Sequence, residues 1–575
     1  MLQEFLREID VTYDCLIAGQ DRTDEFYSKW GVANFLGETY QELLKKEDKK
    51  DKGSVYTPKE VVDFMVKDLI SLEEYKKNTY IKILDPSCGG GYFLLYVYNM
   101  LVEFAKELGI EKPNEHVIKN NIFGYDIDSS AIKITSIELY RKSRVLPQNI
   151  ILKDFILDCK EQFDFIIANP PYMGHKIING DYRNKIAVNF RDVFYDKGDL
   201  SYCFIKKAID SIKTGGRFLF FTSRYLLEAQ NAEGIRKYIL RSGTVNKIID
   251  FYGLRVFKGA GIDNIIIDFS KTNELDKIDY IRFTTLEKNI NDIFEDINRK
   301  KYNYTKHVEV LKREIENGRW QFLNSIEKSI LNKIKGVEIG QFANTYQGII
   351  TGCDDAFIVS MEDAEYLNIE KELLRPWIKS KNIKKFTVEY ADKFIIYSNL
   401  IDDEYKYNNA IEYIGRFRQR LEKRRECKNG FRKWFQLQWG RDLTIFEDKK
   451  IVFPFKANSN RFAIDRGNLF SADVYALVIN GMFREIYSYE FLAGVLNSSI
   501  YEFYIKTMLK KLGDDLYEYY PYNLIRIKIP DFIKDVEDIV LKQGKTNIEE
   551  IDNILIEKFN ITNREFEEVK FWLNS

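Results

Sequence analysis

The stretch IKILDPSCGGGYFLLYVYNMLVEFAKEL, residues 81–108, sets a short apolar run, an acid, three glycines and a long amphipathic segment in immediate succession. An apolar run of this length that stops at a turn reads as a buried strand ending at Asp85, and the apolar spacing after Gly91 reads as a helix. Strand, glycine turn, helix is a ligand cradle: the bare backbone of the turn can approach a bound molecule, and the first N–H groups of the helix point at it. Asp85, at the strand end, is placed to take a cationic amine, and Ser87, Cys88, Gly89 and Gly91 line the cradle. Taken alone, these residues equally suit a tight turn in any α/β domain. They do not suit a dinucleotide, whose GxGxxG turn would need a glycine where Leu94 stands.

Outward from this segment the pattern repeats. IKILD (81–85), NIFGYDID (121–128), FDFIIAN (163–169), RFLFFT (217–222), KIIDF (247–251) and IIIDF (265–269) alternate with helical spacing, which predicts a mostly parallel sheet covered on both faces. Residues 1–52 read as a helical segment ending in the charge run KKEDKKDKG, and 53–275 as the sheet domain. Residues 276–335 turn charged and read as a linker, and 336–575, with aromatic-rich cores of their own, as a second domain. At 575 residues, with 45% hydrophobic content, two or more cores are expected. No stretch approaches the roughly 20 apolar residues of a membrane span. The start MLQEFLREIDVTYD carries acids where a signal peptide carries bases, so the chain reads as soluble and cytoplasmic. Six scattered cysteines without a CxxC pair and three isolated histidines argue against zinc or a disulfide framework.

Three successive strand candidates end in acids. After Asp85 come Asp126, placed to accept from a ribose diol, and Asp154, placed to accept from an adenine amino group with the ring of Phe155 beside it. Asp126 could as well cap the following helix. The set carries more than its members, because open α/β sheets bind ligands along one strand-end edge. The fourth strand runs into Asn169-Pro170-Pro171-Tyr172. The two prolines end the ladder and remove two donors, so the Asn169 side-chain oxygen and the Pro170 carbonyl can act as paired acceptors. Such a pair suits an aromatic amine: its lone pair is delocalised, and two fixed acceptors favour the pyramidal nitrogen of the transition state. Tyr172 can stack on the ring that carries the amine. A plain loop is the competing reading of the tetrapeptide.

Net charge is −1, yet Arg416 to Arg441 holds ten Lys or Arg against Glu422 and Glu426, interleaved with Phe417, Phe431, Trp434, Phe435 and Trp439. This is a basic and aromatic patch suited to nucleic acid, with a solvated amphipathic helix as its bland counterpart.

These motifs together resemble the γ-class N6-adenine DNA methyltransferases, the family of the TaqI methylase. The likeness spans about residues 53–270 through Tyr56-Thr57-Pro58, Asp85-Pro-Ser-Cys-Gly-Gly-Gly-Tyr-Phe93, Asp126, Asp154 and Asn169-Pro-Pro-Tyr172, with Ser87 and Gly90 where the family more typically has Ala and Ser. It implies a Rossmann-like S-adenosylmethionine-dependent domain with a mixed seven-stranded sheet, followed by an α+β target-recognition domain. It implies further that Tyr56, Thr57 and Pro58 hold the methionine end of S-adenosylmethionine, Asp126 the ribose and Asp154 the adenine amine. Phe257 would supply the second aromatic face for a flipped base. The carboxy-terminal half is similar to clostridial orphan methylases through Tyr346-Gln-Gly-Ile-Ile-Thr-Gly-Cys353, Trp377-Ile-Lys-Ser-Lys-Asn382, Arg424-Arg-Glu-Cys-Lys428, Trp434 to Arg441 and Ser471-Ala-Asp-Val-Tyr475, which implies a stand-alone enzyme without a nuclease. Double-stranded DNA is then the partner, gripped by Arg424, Arg425, Lys428, Arg432, Lys433, Trp434, Gln438, Trp439 and Arg441, with no metal and a monomeric enzyme. Three rivals remain: an RNA adenine methylase, a protein glutamine N5-methyltransferase, to whose side-chain amide the same acceptors would suit, and a DNA-binding regulator without turnover.

Overall fold

The computed structural model describes the chain except residues 33–34, 48–56, 175–177, 179, 197, 255–262, 273–275, 286–287, 316–318, 391, 514, 543–546 and 575. It divides into two compact units, Met1–Asn324 and Ser325–Ser575.

In the amino-terminal unit nine strands form one sheet in the order β3-β2-β1-β4-β5-β7-β6-β8-β9. They are β1 Ile83–Asp85, β2 Ile122–Asp126, β3 Ile150–Leu152, β4 Phe163–Ala168, β5 Ile212–Ser223, β6 Thr244–Asp250, β7 Asn264–Ser270, β8 Lys277–Phe283 and β9 Thr305–Leu311. The first five run parallel, and β7 enters antiparallel between β5 and β6. Continuous apolar runs such as Ile265-Ile266-Ile267 are buried on both faces, which forces helices onto both sides of the sheet. Two cores result, one built around Phe163, Phe218 and Phe220, the other around Leu94, Val97 and Phe221. The helices Leu2–Ile17, Thr23–Trp30 and Leu36–Glu47 add a third cluster in which Phe5, Ile9, Phe26 and Tyr40 meet Ile134 and Ile137 of the helix Ser129–Ser143.

Two expectations are corrected. The sheet has nine strands rather than seven, and the segment 276–335 is no linker, because it supplies β8 and β9, paired antiparallel from Lys277↔Leu311 to Phe283↔Thr305. Its charged residues, among them Lys277 and Glu309, alternate with buried Ile278, Tyr280, Val308 and Val310. That is the period-two pattern of strands at a half-solvated sheet margin.

The carboxy-terminal unit is α+β. One four-stranded sheet joins Ala343–Gln347, Val474–Ile479, Lys450–Pro454 and Ala463–Asp465; another joins Ile358–Val359, Phe394–Ile396, Leu374–Ile378 and Leu469–Phe470. The helices Tyr489–Asn497, Ser499–Met508, Lys534–Leu541, Ile548–Phe559 and Asn563–Asn574 enclose the core around Phe491, Tyr501 and Phe503. No described helix is long and apolar enough to cross a membrane.

Candidate active site

Parallel pairing places the carboxyl ends of four strands side by side, with Ile83 level with both Ile122 and Phe165, and Asp126 level with Leu152. Asp85, Asp126, Asp154 and Asn169 therefore leave the sheet at one edge, as ligand-binding groups of an open α/β sheet do. Asp85 is 1% exposed and accepts from the Ser87 N–H at 3.1 Å. Burial, reinforced by the neighbouring Asp126, pushes its carboxyl up to about 8. Asp126 accepts from Gly89 N at 2.9 Å and from Asp128 N at 2.9 Å, which ties the glycine turn to the end of β2. Burial raises this carboxyl too. The cap of the helix Ser129–Ser143 is Asp128, not Asp126. Asp154 is itself a cap: one oxygen accepts from Ile156 N at 2.9 Å and Leu157 N at 3.1 Å. Phe155 is buried and packs against Phe204, so its ring belongs to the core.

Asn169 is clamped at both ends of its amide. Its Nδ2 donates to Thr57 Oγ1 at 2.9 Å, and its Oδ1 accepts the Tyr172 hydroxyl. That hydroxyl also lies 3.0 Å from the Phe221 carbonyl and accepts from Asn264 Nδ2 at 3.4 Å. Burial lifts Tyr172 well above its ordinary value, so it remains a neutral donor. An amide oxygen has two lone pairs. The clamp fixes where that oxygen points. Pro58 caps the helix Lys59–Leu69, and its carbonyl accepts from Val61 and Val62. Thr57, which the family resemblance placed at the cofactor, thus also touches the tetrapeptide. Tyr56 and Phe257 lie outside the described residues.

The glycine turn offers room and a free donor group. Gly89 has φ +50°, and nothing stands within 4 Å of where its Cβ would be. The buried Ser87 hydroxyl has no hydrogen-bond partner among the described residues. Cys88 is buried with its N–H on the Tyr125 carbonyl, and Gly91, with φ +85°, precedes the helix Tyr92–Glu107. An open turn, an unsatisfied hydroxyl and carboxylates on consecutive strands fit a nucleoside bearing an ammonium group. Among the described residues no group of three or more His, Cys, Asp or Glu could hold a metal ion.

In the carboxy-terminal unit the basic stretch splits in two. Arg424 donates to four carbonyls, those of Leu421, Thr351, Trp434 and Gln436, at 2.8–3.1 Å. Its guanidinium thus organises a loop, a partnership that the run of cations does not reveal. Arg441 holds Gly348 O at 3.2 Å and Gln347 Oε1 at 3.0 Å, and Gln438 donates to Glu426 at 3.1 Å. Arg432 and Trp434 are half-buried, and Arg418 lies over the Trp434 ring. Arg425, Lys428, Lys433 and Trp439 are exposed, Trp439 by 44%. Trp439 pairs with Ile350 through the backbone, bringing the LQWGR and QGIITG stretches together. The sequence reading missed Gln347, Asn264, Tyr40 and Asp128 as members of these clusters. Each pairs over a long sequence separation, so its partner cannot be read from the local stretch around it.

Comparison with known proteins agrees with this architecture. The model of the N-6 DNA Methylase family matches residues 32–345, and that of the TaqI-like C-terminal specificity domain matches residues 375–529. The type II methyltransferase M.HindII of Haemophilus influenzae is 24% identical over 78% of this chain and 83% of its own length. M.BstVI of Geobacillus stearothermophilus is 23% identical over 90% and 98%. The type IIL restriction-modification enzyme MmeI, solved in complex with DNA, shares the fold with a TM-score of 0.64 at 14% identity, over 92% of this chain and 74% of MmeI. The sheet edge with its asparagine-led tetrapeptide and the family match over more than half the sequence have one reading: the chain belongs to the N-6 DNA methylase family and is a site-specific, adenine-specific DNA methyltransferase of restriction-modification type.

Proposed function

We propose that this enzyme modifies N6 of an adenine flipped out of duplex DNA, and that it acts as a stand-alone monomer without nuclease activity, as the clostridial orphan methylases it resembles do. The observation that carries the proposal is the Asn169 clamp, which fixes the amide in place at the edge where Asp85 and Asp126 also emerge. S-adenosylmethionine, when bound, supplies a methyl group on a positively charged sulfur. Asp126 would hold its ribose, Asp85 its ammonium group, and Asp154, Ser87 and the turn Cys88 to Gly91 its remaining contacts, with Tyr56, Thr57 and Pro58 at the methionine end. Asn169 Oδ1 and the Pro170 carbonyl accept the two N–H groups of the adenine amine, concentrating electron density on nitrogen as it becomes tetrahedral. Flipping costs a few kcal/mol, offset by those hydrogen bonds and by stacking between Tyr172 and Phe257. The displaced proton leaves to solvent, so neither a strong base nor a metal is needed. Arg425, Lys428, Arg432, Lys433, Trp434, Gln438, Trp439 and Arg441 form the DNA-facing group.

The test is base-resolution methylation sequencing of DNA from a methylase-free host expressing the protein. One sequence motif carrying N6-methyladenine throughout the genome is the expected result. Unmodified adenine in a host whose purified enzyme binds S-adenosylmethionine would overturn the DNA reading in favour of RNA or a protein amide.

A further inference from the structure

The glycine turn is met by a segment to which the sequence reading gives no role. Residues 35–40, at the start of the helix Leu36–Glu47, meet it at three points. First, the backbones of Gly37 and Gly90 touch. A Cβ on Gly90 would stand 2.6 Å from Gly37 Cα, and one on Gly37 would stand 3.0 Å from Gly90 Cα and 3.2 Å from Gly90 O. Neither glycine has a left-handed backbone, so proximity alone excludes a side chain there. Second, the Phe35 ring lies 4.8 Å from that of Tyr92, the first residue after the turn. Third, Tyr40 donates to Asp128 Oδ2 at 2.7 Å, and Asp128 N in turn donates to Asp126 Oδ1 at 2.9 Å. The segment is itself anchored, because Leu36 N donates to the buried Glu138 carboxylate of the helix Ser129–Ser143.

These contacts converge on two groups. Asp126 is oriented by Gly89 N on one oxygen and by Asp128 N on the other, and Asp128 is held by Tyr40. The height of the glycine turn is set from the far side by Gly37 and from the helix by Thr135, which donates to Gly89 O at 2.7 Å. We infer that Phe35, Gly37 and Tyr40 are positioning residues of the cofactor site: they hold the turn and Asp126 in the binding arrangement, so that affinity for S-adenosylmethionine depends on them while the transfer step does not. The inference rests on the S-adenosylmethionine reading of that edge. It assigns the segment a place in ligand binding rather than in folding alone.

Alanine at position 37 separates the two. A purely structural role predicts a change in stability, set by crowding of Phe35 and Gly90 against the gain of a better helix former, with the cofactor affinity of the folded enzyme unchanged. A positioning role predicts weaker cofactor binding, because the methyl group would meet the Phe35 ring at 2.7 Å and Gly90 Cα at 3.0 Å, crowding both the ring that packs on Tyr92 and the turn itself. Full-length wild type, Gly37→Ala and Tyr40→Phe are titrated with S-adenosylmethionine by calorimetry, and DNA methylation is measured at saturating cofactor. For Gly37→Ala the expected result is a Kd raised by about tenfold or more, the size of a small overpacking penalty. For Tyr40→Phe it is a rise of about threefold, the loss of one hydrogen bond to a carboxylate, with the ring still packed. In both, kcat stays within about twofold of wild type, since the transfer residues are untouched. Wild-type affinity in both variants, or unchanged affinity with a lost kcat, would overturn the inference. If Gly37→Ala does not fold, Tyr40→Phe decides alone. A wild-type enzyme that binds no S-adenosylmethionine would instead break the cofactor reading beneath it.

Discussion

Asn169 and Arg424 are both polar side chains held by several hydrogen bonds, and they are held for opposite ends. The Asn169 amide is fixed by Thr57 and Tyr172 at the end of a buried strand, at the edge where the other candidate site residues emerge. The Arg424 guanidinium is fixed by four backbone carbonyls, and the loop around it depends on that fixation. A short side chain at the end of a buried strand has its direction set by the sheet, and whatever clamps it only sharpens that direction. A long side chain on a loop selects among all acceptors within reach, and buried carbonyls that would otherwise go unpaired are strong competitors. A run of cations in sequence therefore overstates the number that face solvent, whereas an edge of strand-end acids does not mislead in this way.

The largest effect expected from this contrast is at Asn169. Replacing it with alanine removes an acceptor that acts in the transition state, and should lower the single-turnover methylation rate by about 10²–10³-fold, as loss of one preorganised polar group does elsewhere. S-adenosylmethionine affinity should stay near wild type. An Asn169→Ala enzyme with wild-type turnover would place Asn169 with Arg424 as a purely structural group. Next in size is Arg424→Lys. An ammonium cannot span four carbonyls as the guanidinium fork does, so unfolding of the carboxy-terminal unit should become easier by about 1–3 kcal/mol, read by thermal or urea denaturation. Unchanged stability would return Arg424 to the DNA-facing group.

The same contrast explains what could be read in advance. β1 to β7 and the edge positions of Asp85, Asp126 and Asn169 follow from apolar runs punctuated by glycine, acid and proline, because parallel strands bring their carboxyl ends to one edge whatever their order in the sheet. β8 and β9 were hidden because their outward charges at the sheet margin mimic a solvated helix. The packing of Phe155 on Phe204 is set by a helix 49 residues further along, which its place beside Asp154 does not reveal. The Tyr40–Asp128 and Arg441–Gln347 pairs join residues 88 and 94 positions apart, distances over which no periodicity carries information.

A smaller effect tests whether Asp85 faces a cation. Its carboxyl, ordinarily near 3.8, is raised to about 8 chiefly by burial, so the cofactor-free fold keeps a proton that the unfolded chain releases. The sign follows: this group makes the cofactor-free enzyme less stable as pH climbs from 3.8 towards 8. An ammonium group placed against Asp85 favours the ionised form, so binding expels the proton and tightens with rising pH, by at most about tenfold per unit, levelling off once Asp85 ionises unaided. Calorimetry in buffers of different ionisation enthalpy should register proton release below pH 8, and Asp85→Asn should flatten the profile. A flat profile in wild type would mean that the ammonium group is held elsewhere.

The smallest effects belong to the cations that Arg424 leaves to solvent. The Arg425 and Lys428 side chains are exposed on the short helix Arg425–Lys428, so alanine at either position should leave denaturation unchanged. If they contact phosphate, each substitution releases one fewer counterion on binding, and the slope of log affinity against log salt should fall by about one. The methylated motif should stay the same, because phosphate contacts position the protein without reading bases. Arg425→Ala and Arg424→Lys differ by one residue in sequence and should differ in kind: the first changes the salt dependence of DNA binding and not stability, the second changes stability, with DNA affinity per folded molecule retained. If the two variants behave alike, the division of the basic stretch into loop-holding and solvent-facing cations does not hold. The patch would then act on DNA as a single unit, with Arg424 drawn out of the loop when the duplex binds.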